Sequence, residues 1–278
     1  MTDAECVRFL QWALPQLGLR WQGYRKVRRQ VCKRVTRRMK ELELADLAAY
    51  ATFLDEYPEE WRTLDSLTCI TISRFYRDRG VFAVLVGEVL PELARSAEAG
   101  ELSAWSVGCA SGEEAYTLSI AWALDVSRHF PEVELRILGT DVDHASLRRA
   151  REACYRPSSL KELPAEWRGT AFTQAGDLAC LREQYKRPVS LLEHDLRRGV
   201  PDGPFDLILC RYLAFTYFDT QAQLEAGALL ADALRPGGIL VLGTHERLPE
   251  GARGFVPWPG QELIYRREPT PVAAGAAP

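Results

Sequence analysis

Glu113 and Glu114 open a helix-like run immediately after a turn of small residues, in SVGCASGEEAYTL, Ser106 to Leu118. An apolar strand end, a glycine turn and a helix start commonly seat a phosphate on free helix amides. A dinucleotide-binding turn needs G-x-G-x-x-G, with bare backbone against the pyrophosphate. Here the glycines are Gly108 and Gly112, and a carboxylate follows at once. The helix dipole stabilises an acid at that position by about 0.3–1 kcal/mol, yet the acid repels a phosphate. The loop therefore selects a ligand with a cationic end. S-adenosylmethionine carries an ammonium and a sulfonium and no phosphate, and Glu113 would pair with the ammonium. The competing reading makes both acids helix caps or solvated loop residues.

Two further acids have the right spacing. Asp141 ends the apolar run in LGTDVD, about where an acid meets ribose hydroxyls in doubly wound folds. His194 and Asp195 follow another such run in SLLEHDLRRG, where Asp195 would accept from an adenine amine; Asp also favours turns.

The elements that must position these groups are short. LSAWSVG, ELRILGTDVD, FDLILCRYL and GGILVLGTH are apolar runs beside Gly or Asp, several of them separated by helical segments. That alternation predicts an α/β fold with a doubly wound parallel sheet. LRPGG reads as a helix stop before a strand. Residues 1–80 read as a helical domain, with Val27, Val31, Val35 and Met39 forming one apolar stripe. Residues 81–268 form the cofactor-binding domain, in which residues 155–193 break the alternation and predict a small antiparallel β insert. The tail TPVAAGAAP, within 269–278, is expected to be disordered.

Bulk composition narrows the partners. At 278 residues and net charge -3, the chain is not coated in basic residues. No apolar run approaches the ~20 residues of a membrane span, and MTDAECVRFL lacks a signal-peptide pattern. The seven cysteines are scattered without a CxxC pair, and the histidines do not cluster. Reduced thiols, no metal site and a cytoplasmic location are therefore expected.

The motifs resemble the CheR-type chemoreceptor methyltransferases, a family of S-adenosylmethionine-dependent, Rossmann-like enzymes that methylate receptor glutamates. The resemblance runs from about Cys6 to Arg267 through KRVTRRMKELEL, DLAAYATFL, ITISRFYRD, GCASGEEAYTL, GTDVDHASLRRAREACY, FDLILCRYLAFTYFD and LRPGGILVLGTHE. It implies that Thr71, Ser73 and Arg77 lie against the methionine part of the cofactor, with Arg77 beside the transferring methyl. It places Glu113 on the ammonium, Asp141 on the ribose and Asp195 near adenine. Val107, Gly108, Leu196, Arg211 and Tyr212 complete the implied cofactor set, and Tyr217 matches a presumed substrate-positioning tyrosine. A surface salt bridge for Arg77 and a core role for Tyr217 are the plainer readings. The family's C-R-N-V-x-I-Y-F becomes CRYLAFTYF, with Tyr212 in place of Asn and one residue added before Tyr217. Since that segment lines the acceptor pocket, a small molecule or a different protein is the alternative acceptor.

Ten Lys/Arg and no Asp or Glu occur from Arg20 to Lys40. Lys26, Arg29, Lys33, Arg37 and Lys40 recur every three or four residues and share a helix face. In the resembled family this helix meets the acidic receptor coiled coil, so Arg29, Lys33, Arg34, Arg37 and Arg38 are the docking candidates. An ordinary solvated face is the rival reading. No Pro-Pro-Tyr-like segment or catalytic Pro-Cys points to nucleic acid, and a monomer is expected.

Overall fold

The computed structural model describes residues 2–268, and the tail lies outside the described residues. The chain begins with α1 (Asp3–Gln16), entered through a capping box in which Thr2 and Glu5 satisfy each other's amides. It continues through α2 (Trp21–Tyr24), α3 (Arg28–Glu41), α4 (Leu47–Glu56) and α5 (Glu60–Thr68). On α3 the expected stripe is the inner face, with Val31, Val35 and Met39 buried, while Val27 caps the helix. Buried Glu60 accepts from Arg38 and from the Tyr50 hydroxyl, tying α3, α4 and α5 together.

Next, α6 (Arg79–Val84) and α7 (Leu90–Arg95) are joined by one π-helical turn, Leu85–Val89. The sheet region alternates β1 (Glu101–Val107), α8 (Glu113–Ala121), β2 (Glu134–Asp141) and α9 (His144–Glu152). An insert of β3 (Cys154–Tyr155), α10 (Ala165–Ala171), β4 (Phe172–Ala175) and β5 (Leu178–Leu181) then forms a separate antiparallel sheet in the order β3-β5-β4. After α11 (Glu183–Lys186) come β6 (Val189–Glu193), β7 (Phe205–Cys210), α12 (Ala214–Tyr217), α13 (Thr220–Ala233), β8 (Leu234–Val241), β9 (Phe255–Pro257) and β10 (Ile264–Arg267).

The main sheet has seven strands in the order β6-β2-β1-β7-β8-β10-β9. β6 through β8 are parallel, and β10 and β9 are antiparallel additions at one edge. This is the expected doubly wound architecture. Ala104, Val107, Leu207, Leu209 and Leu240 are buried because helices cover both faces of the central strands. The apolar core on one face runs without a break from Leu10 and Tyr50 in the N-terminal helices to Trp105, Ile208 and Leu240. The insert packs Trp167 and Phe172 with Tyr116 and Ile120 of α8. Among the described residues, no helix is long and apolar enough to cross a membrane.

Three local expectations need correction. Val189–Glu193 belongs to the main sheet as a parallel neighbour of β2, so the β insert stops short of residue 193. As an edge strand with Ser190 and Glu193 exposed, β6 lacks the continuous apolar signature of its neighbours. LRPGG lies inside β8, where Phe205 pairs with Leu234 and Leu207 with Ile239, so Arg235 to Gly238 form a bulge. Nor are the thiols all reduced: Cys6–Cys32 joins α1 to α3, and Cys154–Cys180 joins register partners on β3 and β5. Each pair is 26 residues apart, a proximity created only by the fold. Cys69, Cys109 and Cys210 are free.

Candidate active site

From β1 the chain winds outward to β2 and β6, then crosses back to β7 and β8. The order therefore reverses between β1 and β7, and a crevice opens at their carboxyl ends. The turn after β1 is strapped to the end of β2: the Cys109 amide donates to the Thr140 carbonyl (2.8 Å) and the Ala110 amide to Asp141 Oδ2 (2.8 Å). Gly108 sits at φ +69°, and a Cβ there would lie 2.9 Å from Leu213. Gly112 sits at φ +86°, where a Cβ would meet the Tyr116 ring at 2.7 Å. Both positions thus require glycine for backbone and for space.

Glu113 meets this turn from the first residue of α8 and Asp141 from the end of β2, and both are buried. Asp141 is oriented by two amides, Ala110 on Oδ2 and Asp143 on Oδ1 (2.8 Å each). Glu113 is different: its Oε2 is buried with no hydrogen-bond partner among the described residues. Burial pushes both carboxyls above the ordinary range, opposed at Glu113 by its own amide and the Ser73 hydroxyl, and at Asp141 by backbone amides.

Two adjoining cavities form one trough, sharing Ile70, Gly108 and Tyr212 as common wall. The first gathers Thr71, Val107, Asp141, Asp195, Leu196 and Tyr217, and is walled by Tyr24, Asp65 and Cys69 from the N-terminal helices. The second gathers Ser73, Arg77, Glu114 and Arg211. Glu113 lines neither cavity surface but lies beside Ser73 at the second. A nucleoside carrying an amino-acid tail fits this donor set. Asp141 suits ribose hydroxyls, while Glu113 Oε2 and the equally unpartnered Arg211 Nε suit an ammonium and a carboxylate.

Several assigned residues have extra partners. Asp195 accepts from the Arg197 guanidinium on both oxygens, and Arg197 also bridges to Asp65 of α5. Burial pushes the Asp195 carboxyl up, but the Arg197 bonds outweigh it and leave it below its usual range. Arg211 is sealed beneath the second cavity, paired with Asp78 (2.7 Å) and Glu114 (2.8 Å) and donating to the Arg77 carbonyl. Three of its five donors are thus spent on the protein, and Nε is the nitrogen without any partner among the described residues. Glu114 joins that network and also accepts from Ser106.

In CRYLAFTYF, Ala214–Tyr217 form α12, whose Phe215 and Thr216 carbonyls accept from Arg20. Tyr217 packs on Tyr24 with ring centroids 4.9 Å apart, and burial pushes its hydroxyl up to about 12. Arg77 makes no salt bridge among the described residues; its guanidinium lies over the Tyr212 ring, 3.5 Å from the centroid. Beneath Tyr212, buried Glu246 accepts from the Tyr212 and Gly243 amides and the Thr216 hydroxyl.

On α3, Arg29, Lys33 and Arg37 are exposed, as are Lys26 before the helix and Lys40 near its end. Arg34 and Arg38 are corrected as docking residues. Arg34 turns inward onto the Leu67 and Cys69 carbonyls, and Arg38 is paired with Glu60 at 2.8 Å. Helical spacing alone did not show that these two point back to the core. Also missed were Asp78, Arg197, Tyr24 and Glu246. Of these only Glu246, an acid just past a strand end in GTHE, carried a usable sequence signal.

Comparison with known proteins agrees with this geometry. The family model for the CheR methyltransferase SAM-binding domain matches residues 71–262. A chemotaxis protein methyltransferase of Listeria innocua is 35% identical over 184 residues, covering 66% of this chain and 68% of that protein. Its namesake in Listeria monocytogenes is 34% identical over 199 residues, covering 71% of each. The Escherichia coli chemotaxis protein methyltransferase is 27% identical over 265 residues, covering 92% of this chain and 88% of that protein. With Glu113 at the start of α8, Asp141 at the end of β2, a trough that fits a nucleoside with a zwitterionic tail, and a family match over residues 71–262, the chain belongs to the CheR methyltransferases and uses S-adenosylmethionine.

Proposed function

We propose that this enzyme methylates glutamate side chains on the acidic cytoplasmic helices of chemoreceptors, acting as a monomer in the cytoplasm. The observation that carries the reading is the exposed row of Arg29, Lys33 and Arg37 on α3, whose one acid, Glu41, sits at the helix end 3.6 Å from Arg37. That helix is held by Arg34 to the Cys69 carbonyl, and Cys69 walls the trough. The names of the relatives support the same acceptor class. In this reading residues 1–80 dock the acceptor and close the nucleoside end, and residues 81–268 hold the cofactor.

Bound S-adenosylmethionine supplies an electrophilic methyl group on a sulfonium. Glu113 takes its ammonium and Asp141 its ribose hydroxyls, with Asp195 and Leu196 at the adenine end. A free glutamate has pKa ~4.3, so the acceptor is already ionised near neutral pH and no general base is needed. Arg77 holds one carboxylate oxygen in line with the methyl carbon. Attack of that oxygen on the methyl carbon would leave the electron pair of the broken carbon–sulfur bond on sulfur and would need no proton transfer. Rate then comes from alignment, to which Tyr217 contributes a wall of the acceptor path.

The test is transfer of tritiated methyl to a purified receptor cytoplasmic fragment. Base-labile label, released as methanol from the fragment, is the expected result. Label confined to small molecules when cell extract is supplied would overturn the acceptor assignment in favour of the alternative.

A further inference from the structure

We propose that Tyr212 is a positioning residue for the acceptor: its ring is the platform that sets the plane of the Arg77 guanidinium. The inference rests on Arg77 receiving the acceptor carboxylate, as above. Tyr212 occupies a left-handed backbone position, φ +57°, that asparagine tolerates and a large aromatic residue rarely takes. The residue is fixed there from several directions. Its amide donates to Glu246 Oε2 at 2.7 Å. Its hydroxyl donates to Asp78 and lies 2.7 Å from Thr244 Oγ1, while the Thr244 amide donates back to it at 3.2 Å. Asp78 is itself immobilised by Arg211.

Onto this ring Arg77 lays its guanidinium, 3.5 Å from the centroid, a close cation–π contact. Among the described residues, the one hydrogen bond from the Arg77 side chain is a long one, Nη1 to the Ile72 carbonyl at 3.3 Å. The ring is thus the nearest fixed support of the guanidinium, whose remaining donors can take a carboxylate. Asparagine, the residue of the resembled motif, has no face to stack on. The substitution at Tyr212 thus replaces a hydrogen-bonding side chain with an aromatic floor under the same arginine.

The experiment is a cycle of Tyr212→Asn, Tyr212→Phe, Arg77→Ala and Tyr212→Asn/Arg77→Ala. Acceptor kcat and KM are read with saturating S-adenosylmethionine, and S-adenosylhomocysteine affinity is read by calorimetry. Tyr212→Asn should lower kcat/KM for the acceptor roughly tenfold, the scale of a lost cation–π contact, with product affinity kept within about twofold. Tyr212→Phe keeps the ring and should recover most of that loss. In the Arg77→Ala background, Tyr212→Asn should change acceptor kcat/KM by less than about twofold. An equal loss in both backgrounds, or a loss seen chiefly in S-adenosylhomocysteine affinity, overturns the proposal.

A readout independent of any acceptor is phenylglyoxal labelling of Arg77, followed by peptide mass spectrometry. Labelling should be faster in Tyr212→Asn than in the parent. If the labelling rates are equal while the parent methylates receptor fragment, the platform fails and the proposed function stands. If they differ while no receptor fragment is methylated, the proposed function fails and the platform stands.

Discussion

The two ends of the trough are built from different materials. At the ribose position the main chain does the positioning: amides of Ala110 and Asp143 orient Asp141, and the turn is strapped to β2, while Asp195 farther along is held by a side chain, Arg197. At the methyl end side chains do it: Arg211, Asp78, Glu114 and Tyr212 hold one another beneath Arg77. Tyr76, Asp78 and Tyr212 there all adopt left-handed backbone without being glycine, a local cost of order 1–3 kcal/mol each. A backbone-built subsite tolerates many neighbours because every residue supplies an amide. A side-chain network depends on each member and can be retuned by one substitution, which suits the end that must recognise an acceptor.

The largest effect that would break this contrast is on stability. Arg211→Met leaves half-buried Asp78 and Glu114 without their cation and should destabilise the fold by about 2–4 kcal/mol, read by chemical denaturation. A change under about 1 kcal/mol would mean that the network is not what holds the methyl end. Next, Asp141→Ala should weaken S-adenosylhomocysteine binding about 10- to 100-fold, the scale of lost hydrogen bonds to a buried carboxylate. Unchanged affinity in calorimetry would remove Asp141 from the nucleoside end.

A smaller and more specific effect concerns Glu113. Burial raises its carboxyl, so the empty site takes up a proton at a higher pH than a free glutamate, ~4.3. Only the ionised form pairs with an ammonium. Affinity should therefore be full above the raised value and fall as pH drops through it. Glu113→Gln should lose about tenfold at neutral pH and flatten this part of the profile. Burial also raises Asp141, Glu114 and Glu246, so the slope that survives in Glu113→Gln belongs to the remaining carboxyls. An identical profile in parent and variant would sink the pairing. The smallest effect is expected from Arg29→Glu/Lys33→Glu/Arg37→Glu. This variant should slow receptor methylation up to about tenfold at low salt, less at high salt, with product affinity unchanged. Full methylation at low salt would separate α3 from docking.

What the sequence disclosed follows the same division. Glu113 and Asp141 were legible because a turn motif and a strand end are local, and main-chain geometry repeats wherever that local pattern does. The network under Arg77 was not legible: Arg211 meets Glu114 across 97 residues and Asp78 across 133. Arg34 and Arg38 show the same limit, since spacing fixed their helix but not which of its flanks the core would claim. The disulfides and the edge strand β6 were hidden for the same cause, because chain neighbours do not announce partners in space. Tyr212 was visible as a departure from a motif, but its meaning lay in the ring's contact with Arg77.

Arg34 has a thermodynamic consequence. Its bonds to the Leu67 and Cys69 carbonyls join the outward-facing basic helix to the wall of the nucleoside cavity. Under the proposed docking, a shift of that helix would reach the wall through these bonds, and the two binding equilibria would be coupled. Coupling of this kind is reciprocal. Whatever factor a docked receptor adds to cofactor affinity, a saturating cofactor must return to receptor affinity. The loss of both factors together in Arg34→Ala would identify the guanidinium as the coupling element.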